Sequence, residues 1–417
     1  MDLGAIAGPH SLTPAAKAYR AGTHRTVPPE ETVRKALRFA PVMGITRVAN
    51  VTGLDNVGLP VVTVSRPNSR SLAVTQGKGI DLTSAKASAL MESIEAYHAE
   101  TITLPLRYCS LEELRYTHRV VDVSDLPSVT TSAFHPNKRL LWCEGHDVMH
   151  GDTVFVPYEL VHSDCTWPQP PGSGCFAGSS NGLASGNHHL EAVSHAICEV
   201  VERDATTLWR LRGPDDQRSR RLDMATVDDP SCIRVMELFK RAGVEAAVWE
   251  TTTDVGIASF LCMIFSAADD PSRPLPPAAG AGCHPSRAIA LLRALTEAAQ
   301  TRLVQISGSR DDIGRDMYGR HRYAANVDAL RREIGRPTPL SYLESPHSDA
   351  DTLDGDVEWE LERLRSAGVK SVVVIDLSKE AFGLPVVRVV IPRLEAISEM
   401  PGYVPGPRAR AIAAARA

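Results

Sequence analysis

The chain has 417 residues, 43% of them hydrophobic, which is ample material for a packed core and excludes wholesale disorder. A net charge of −5 without a long lysine or arginine run argues against a general nucleic-acid binder; no stretch approaches a membrane span, and Met1 to Arg25 lack a signal-peptide layout. The eight cysteines are scattered with no Cys-x-x-Cys, so a zinc site is unsupported and reduced thiols in a cytoplasm are the plain reading.

In chain order, residues 1–30 are polar and read as an extended or loosely packed arm, and Thr32–Phe39 as a short helix. Val61–Val64 reads as a strand, followed by a loop at Arg66-Pro67-Asn68 and the flexible-looking Gln76-Gly77-Lys78-Gly79. A helix is predicted from about Ser84 to Glu100, a short strand at Val154–Pro157, and a loop over the Pro, Gly and Ser-rich Pro168–Ser180. A long helix opens near Asn187, its expected N-cap, and runs to about Leu211. Glu245–Glu250 and Ala258–Phe265 look like paired strands, Asp269–Pro277 is a proline-rich surface loop, and Ser286–Ile306 a third helix. Helix Leu353–Ala367 and strands Ser371–Asp376 and Val386–Ile391 close the fold, before a tail from Met400 that ends in an Ala/Arg run. The expected class is α+β with one extensive sheet.

One pattern recurs on the three long helices: Ala85-x-x-Ser88-Ala89-Leu90-x-Glu92-x-x-Glu95, Ala192-x-x-His195-Ala196-Ile197-x-Glu199-x-x-Glu202 and Ala290-x-x-Arg293-Ala294-Leu295-x-Glu297-x-x-Gln300. The copies lie 107 and 98 residues apart, too far for a solenoid and suited to strand-plus-helix units within one large domain. Helical positions three and four apart share a face, so each copy presents an oxygen-rich edge beside a packed one. Glu191 and Glu202 are three turns apart at nearly the same azimuth, with His195 and Glu199 close to that line. Carboxylates on one stripe repel each other unless a cation fills the groove, and hard divalent cations held against phosphates use such oxygens.

Other features bear less. Lys78 lies between two glycines just before the first acidic stripe, where a triphosphate could be met from both sides, but neither a Walker loop nor a Gly-x-Gly-x-x-Gly is present. His146 and His150, and His188-His189, lack a third ligand at motif spacing and read as polar loop residues. Cys175 has no base assigned to it and reads as inert.

Together, Gln76-Gly-Lys-Gly, Ser88-x-x-x-Glu92-x-x-Glu95, Asn181-Gly-Leu-Ala-Ser-Gly-Asn187-x-x-x-Glu191-Ala192, Glu199-Val-Val-Glu202-Arg203-Asp204-Ala205 and Glu297-Ala-Ala-Gln300-Thr-Arg302 resemble the YcaO family, ATP-dependent enzymes that modify peptide backbone amides. The flanks Gly22-Thr-His-Arg25, Gly44-Ile-Thr-Arg47, Thr52-Gly-Leu-Asp55 and Tyr403-Val-Pro-Gly-Pro407 are similar to the branch encoded with a TfuA partner. The resemblance implies a YcaO-type α+β fold of repeated strand/helix units around a central nucleotide site, with residues 1–69 an N-terminal extension packed on a catalytic domain at 70–417. It implies ATP and Mg²⁺ as cofactors, with Glu92, Glu95, Glu191, Glu199 and Glu202 holding the metal. Lys78, Ser88, Arg203, Gln300, Arg302 and Asn187 would contact nucleotide, and Glu199, Glu202 and Arg203 would form the catalytic set. By ideal helix geometry Arg302 lies off the Glu297–Gln300 face.

The implied reaction is O-phosphorylation of a backbone amide followed by attack of a sulfur nucleophile to give a thioamide. The implied partners are a peptide or protein substrate, a TfuA-type protein and a sulfur donor, with no nucleic acid and no membrane; the sequence leaves a homodimer open. The alternatives are an azoline-forming cyclodehydratase, a nucleotide-binding accessory factor for another modification enzyme such as a ribosomal-protein methylthiotransferase, and a carboxylate–amine ligase of unrelated fold. Two departures stand out. The family's first motif often ends Glu-Arg where this chain has Glu95-Ala96, and Pro401, Pro405 and Pro407 are followed by ten more residues, unlike the Pro-x-Pro-x-Pro terminus of azoline-forming members.

Overall fold

A computed structural model describes residues 15–266, 275–310, 312, 327–333, 336 and 340–416. In chain order its main elements are α1 (Pro29–Phe39), β1 (Arg47–Asn50), β2 (Val61–Ser65), β3 (Val74–Lys78), α2 (Leu82–Glu100), β4 (Leu106–Cys109), β5 (Leu140–Asp147), β6 (Asp152–Pro157), β7 (Leu183–Ser185) and α3 (His189–Arg210). There follow α4 (Pro230–Arg241), β8 (Val244–Glu250), β9 (Ser259–Ser266), β10 (Ala278–Cys283), α5 (Arg287–Ser307), α6 (Leu353–Ser366), β11 (Val373–Asp376), β12 (Val386–Val390) and α7 (Pro407–Arg416).

The α+β class holds, but the one extensive sheet resolves into three main sheets. Strands β1-β2-β3 and β10-β9-β8 form two antiparallel three-stranded sheets, and β4-β5-β11-β12-β7, with β6 on β5, form a six-stranded one. Each small sheet feeds a repeat helix, β3 into α2 and β10 into α5, so these two units are architectural copies. The remaining repeat helix, α3, follows β7 at the end of the large sheet.

The small residues of the repeat explain how each helix sits. A Cβ at Gly77 on β3 would overlap the backbone of Ala89 and Ala85, and Cβ atoms at Gly280 and Gly282 on β10 would overlap Ala294, Ala298 and Ala290. Glycine on the strand and alanine on the helix let the two backbones approach closely. Gly77-Lys78, expected in a loop, is therefore the end of a strand, fixed by pairing of Val62 with Gly77 and Val61 with Lys78. Those β2–β3 pairs also cross the 69/70 boundary suggested by the sequence.

The arm is not loosely packed from Ala15 onward. Lys17 is buried and its ammonium pairs with Asp356 on α6 at 2.7 Å, and His24 is buried as well. The expected loop at Asp269–Pro277 falls for the most part outside the described residues. The tail ends in a helix, α7, whose Arg408 meets the buried Asp204 of α3 at 2.9 Å. Among the described residues, no helix is long and apolar enough to cross a membrane.

Candidate nucleotide and metal site

A cavity of about 900 Å³ opens where α2, α3 and α5 converge. Three positions of the repeat recur in its wall, in all three copies: Ser88, His195 and Arg293; Glu92, Glu199 and Glu297; Glu95, Glu202 and Gln300. The 4+3 spacing places these positions on one stripe of each helix, while the alanines and the leucine or isoleucine beside them pack inward.

Most of these side chains have a defined neighbour. Glu95 Oε1 accepts the Ser185 backbone N–H at 2.9 Å and its hydroxyl at 2.6 Å, from the end of β7. Lys78 Nζ on β3 reaches Glu297 Oε2 on α5 at 2.6 Å, and Gln300 Nε2 donates to the Gln76 carbonyl at 3.2 Å. Arg203 lies 3.5 Å from Glu202 Oε1 and 3.9 Å from Glu199 Oε1. Arg293 lies 2.9 Å from His195 Nε2, and burial together with this cation keeps the imidazole neutral, its pKa well below the usual value.

Burial raises the pKa of most carboxyls of the acid cluster. Desolvation pushes Glu92 up to about 7, Glu95 to about 8 and Glu199 to about 7, with Lys78 opposing it at Glu92, Ser185 at Glu95 and Arg203 at Glu199. Glu202 is raised by the same cause, whereas the close Lys78 ammonium carries Glu297 below the ordinary value in spite of its burial. Glu202 Oε2 is buried with no hydrogen-bond partner among the described residues. An all-oxygen set of crowded carboxylates, one with an orphaned oxygen, fits a hard divalent cation.

The expected site residues divide by placement. Lys78, Ser88, Glu92, Glu95, Asn187, Glu191, Glu199, Glu202, Arg203 and Gln300 all line the cavity. Arg302 does not; its Nε lies 2.9 Å from Asp55 Oδ2 in a pair buried from solvent, because residue 302 faces away from the Glu297–Gln300 stripe. Asn187 is not the N-cap. That place belongs to His188, whose ring nitrogen accepts the Leu190 N–H at 3.2 Å, while the Asn187 side-chain amide bonds Thr32 of α1. Glu191, like Glu297, has both oxygens engaged by protein donors: Oε1 takes the Thr26 backbone N–H and hydroxyl, and Oε2 the Asn187 N–H at 2.8 Å.

Sequence reasoning left out Thr23, Arg25 and Thr32, which come to the wall from the N-terminal segment, and Ser185 and Arg310. It also gave no role to His195 and Arg293, although the repeat alignment with Ser88 carried that signal.

The other candidates lie elsewhere. Cys175 is buried away from the cavity, its sulfur 3.2 Å from Lys138 Nζ. His146 belongs to β5 rather than to a loop. A second group, His24, His284 and Asp356, brings three potential ligand atoms within 4.8 Å of one another. There the Lys17 ammonium already sits on Asp356, and His284 Nδ1 accepts the Ser286 N–H at 2.9 Å, so the chain's own cation closes the group.

Residues 76–395 match the family described as YcaO cyclodehydratase, ATP- and Mg²⁺-binding. An uncharacterized protein in the tfuA 3′ region of Rhizobium leguminosarum bv. trifolii is 38% identical over 89% of this chain and 88% of its own length. Among solved structures, YcaO from Methanopyrus kandleri bound with AMPPCP and Mg²⁺ superposes with a TM-score of 0.73 at 22% identity, covering 94% of this chain and 98% of that one. A heterocyclase in complex with substrate and cofactor gives 0.76 at 22% identity over 93% of this chain and 54% of that one. At such identity these likenesses establish the fold.

Proposed function

The chain belongs to the YcaO family of ATP- and Mg²⁺-binding, peptide-modifying enzymes, and within it we propose a peptide backbone thioamide synthetase. The observation that carries the ATP-dependent reading is the convergence of the three acidic stripes on one cavity together with Lys78, Arg203 and Arg293. Phosphoryl transfer needs positioning and charge neutralisation more than covalent help from the protein. Glu92, Glu95, Glu199 and Glu202 would hold Mg²⁺, with Glu191 at the edge of that set. When bound, the metal supplies charge neutralisation at the phosphates. Lys78 is placed to leave Glu297 for a phosphate oxygen, and Arg203 holds Glu199 and Glu202 on one side of the cavity.

In the proposed reaction an amide oxygen bonds to the terminal phosphorus as the bond to ADP breaks. A sulfide sulfur then bonds to the amide carbon, and the C–O bond breaks to release phosphate. The tfuA neighbourhood of the Rhizobium relative supports sulfur as the nucleophile and a TfuA-type protein as partner. The tail supports it too, since Pro401–Pro407 leads into α7, which is tied to α3 by the Arg408–Asp204 pair, and none of the described tail residues lines the cavity.

The test is mass spectrometry of a candidate precursor peptide incubated with the protein, ATP, Mg²⁺ and sulfide. Replacement of oxygen by sulfur adds about 16 Da, whereas loss of about 18 Da identifies the azoline-forming alternative. Unchanged peptide with ATP bound and not turned over would favour an accessory role, whereas slow peptide-independent hydrolysis would favour an enzyme.

A further inference from the structure

The internal repeat exposes an asymmetry of charge. On α3, Glu202 is followed by Arg203, which pairs with Glu199 and Glu202; on α2, Glu95 is followed by Ala96, which lines the cavity without a charge. A cation for that side arrives from the N-terminal segment. Tyr19 and Arg25 exchange reciprocal backbone hydrogen bonds of 2.9 Å, closing a hairpin whose Gly22 has φ +71°. A Cβ at Gly22 would press on Ile80 at 3.1 Å and Leu292 at 3.2 Å, so the hairpin lies tight against the cavity rim. Thr26 then gives its N–H (2.5 Å) and its hydroxyl (2.7 Å) to Glu191 Oε1.

Arg25 is thus held on both sides. It lines the cavity, and the charged groups acting on it are Glu191, Arg293 and Glu95. It makes no ion pair among the described residues, and its guanidinium donates only to the carbonyl of His24, at 3.1 Å. A guanidinium carried on an anchored strap, with most of its five donors uncommitted, is suited to an anion with several oxygens.

We propose that Arg25, on a strap that Thr26 ties to Glu191, is a catalytic residue that contacts the terminal phosphoryl group of ATP. The assignment rests on the ATP reading above. It makes the N-terminal segment part of the active site.

Nucleotide titrations and hydrolysis rates test it. Wild type, Arg25→Ala and Arg25→Lys are titrated with ATP and with ADP in the presence of Mg²⁺, with thermal melts as the check on folding. Arg25→Ala is expected to lose the preference for ATP over ADP, to keep ADP affinity within about twofold, and to slow ATP hydrolysis by about a hundredfold or more. Arg25→Lys, which keeps charge without the planar fork, should recover part of the rate. A folded Arg25→Ala protein with the wild-type ATP-to-ADP ratio and rate overturns the proposal, as does an equal loss of affinity for both nucleotides. Wild type that binds neither nucleotide fails the ATP reading itself, a result separable from any effect of Arg25.

Discussion

Lys78 and Glu297, 219 residues apart, meet at 2.6 Å across the cavity, joining the end of β3 to the middle of α5. Both side chains are partly exposed to the cavity, so the pair is a preformed electrostatic contact that a phosphate oxygen can replace on the lysine side. Lys78→Ala should weaken binding of Mg·ATP by about tenfold or more, roughly 1.4 kcal/mol, with Lys78→Arg intermediate. Calorimetric titration measures it; unchanged affinity would place the phosphates elsewhere.

Glu202 offers a test with two opposite signs. Its Oε2 is buried and unpartnered, and its charge crowds Glu297. Glu202→Gln removes a desolvated charge, so the melting temperature in EDTA should hold or rise. The same variant should lose Mg²⁺-dependent ATP binding by about tenfold or more. A variant that melts lower in EDTA and still binds Mg·ATP normally would show that Glu202 is a structural acid.

The pH dependence of stability follows from buried carboxyls and histidines together. Glu92, Glu95 and Glu199 keep their protons to about 7, 8 and 7, above the ordinary 4.5. Their contribution to stability is full below about 4.5 and declines as pH rises to about 8, because the unfolded chain releases protons that the fold retains. His24 and His98, lowered to about 4 by burial, act on the other limb, where stability falls as pH drops from about 6.5 to about 4. Protein without Mg²⁺ should melt lower at pH 8.5 than at about pH 6, and Mg²⁺ should narrow that gap by binding ionised oxygens. Melting curves at both pH values with and without Mg²⁺ decide it; a metal-free midpoint that climbs toward pH 8.5 contradicts the burial argument.

Gly77→Ala should destabilise the protein by about 3 kcal/mol or more, since its Cβ would overlap the α2 backbone and not a movable side-chain end. Gly53→Ala, with nothing within 4 Å and no positive φ, is the control expected to be near neutral. Urea unfolding of both variants reads the difference. Equal midpoints would mean that β3 and α2 can separate at little cost.

Arg408→Ala leaves the fully buried Asp204 without its cation, next to Arg203 on α3. A loss of roughly 3 kcal/mol is expected. Denaturant unfolding measures it, and wild-type stability would show that Asp204 is satisfied by the Glu395 N–H alone, at 2.9 Å.

The repeat was legible because helical periodicity is local. Spacing of four and three fixes which side chains share a stripe, so the positions of Ser88, Glu92 and Glu95 and their two sets of counterparts followed from the sequence. The same local geometry placed Arg302 off that stripe, and the structure turns it to Asp55. The cap of α3 was misread because Asn187 and His188 are adjacent polar residues, and a contact with Thr32, 155 residues away, engages the Asn187 amide.

What the sequence determined by itself is the three repeat helices, their acidic faces and the small residues beside the acids, since each depends on neighbours within a few turns, whereas α4 and the tail helix α7 were not read from it. Only the tertiary structure decided that three separate sheets bring those faces to one cavity, that Lys78 ends a strand beside Glu297, and that Thr26 grips Glu191 across 165 residues to present Arg25. Such contacts depend on packing between distant segments, which no local period in the chain encodes.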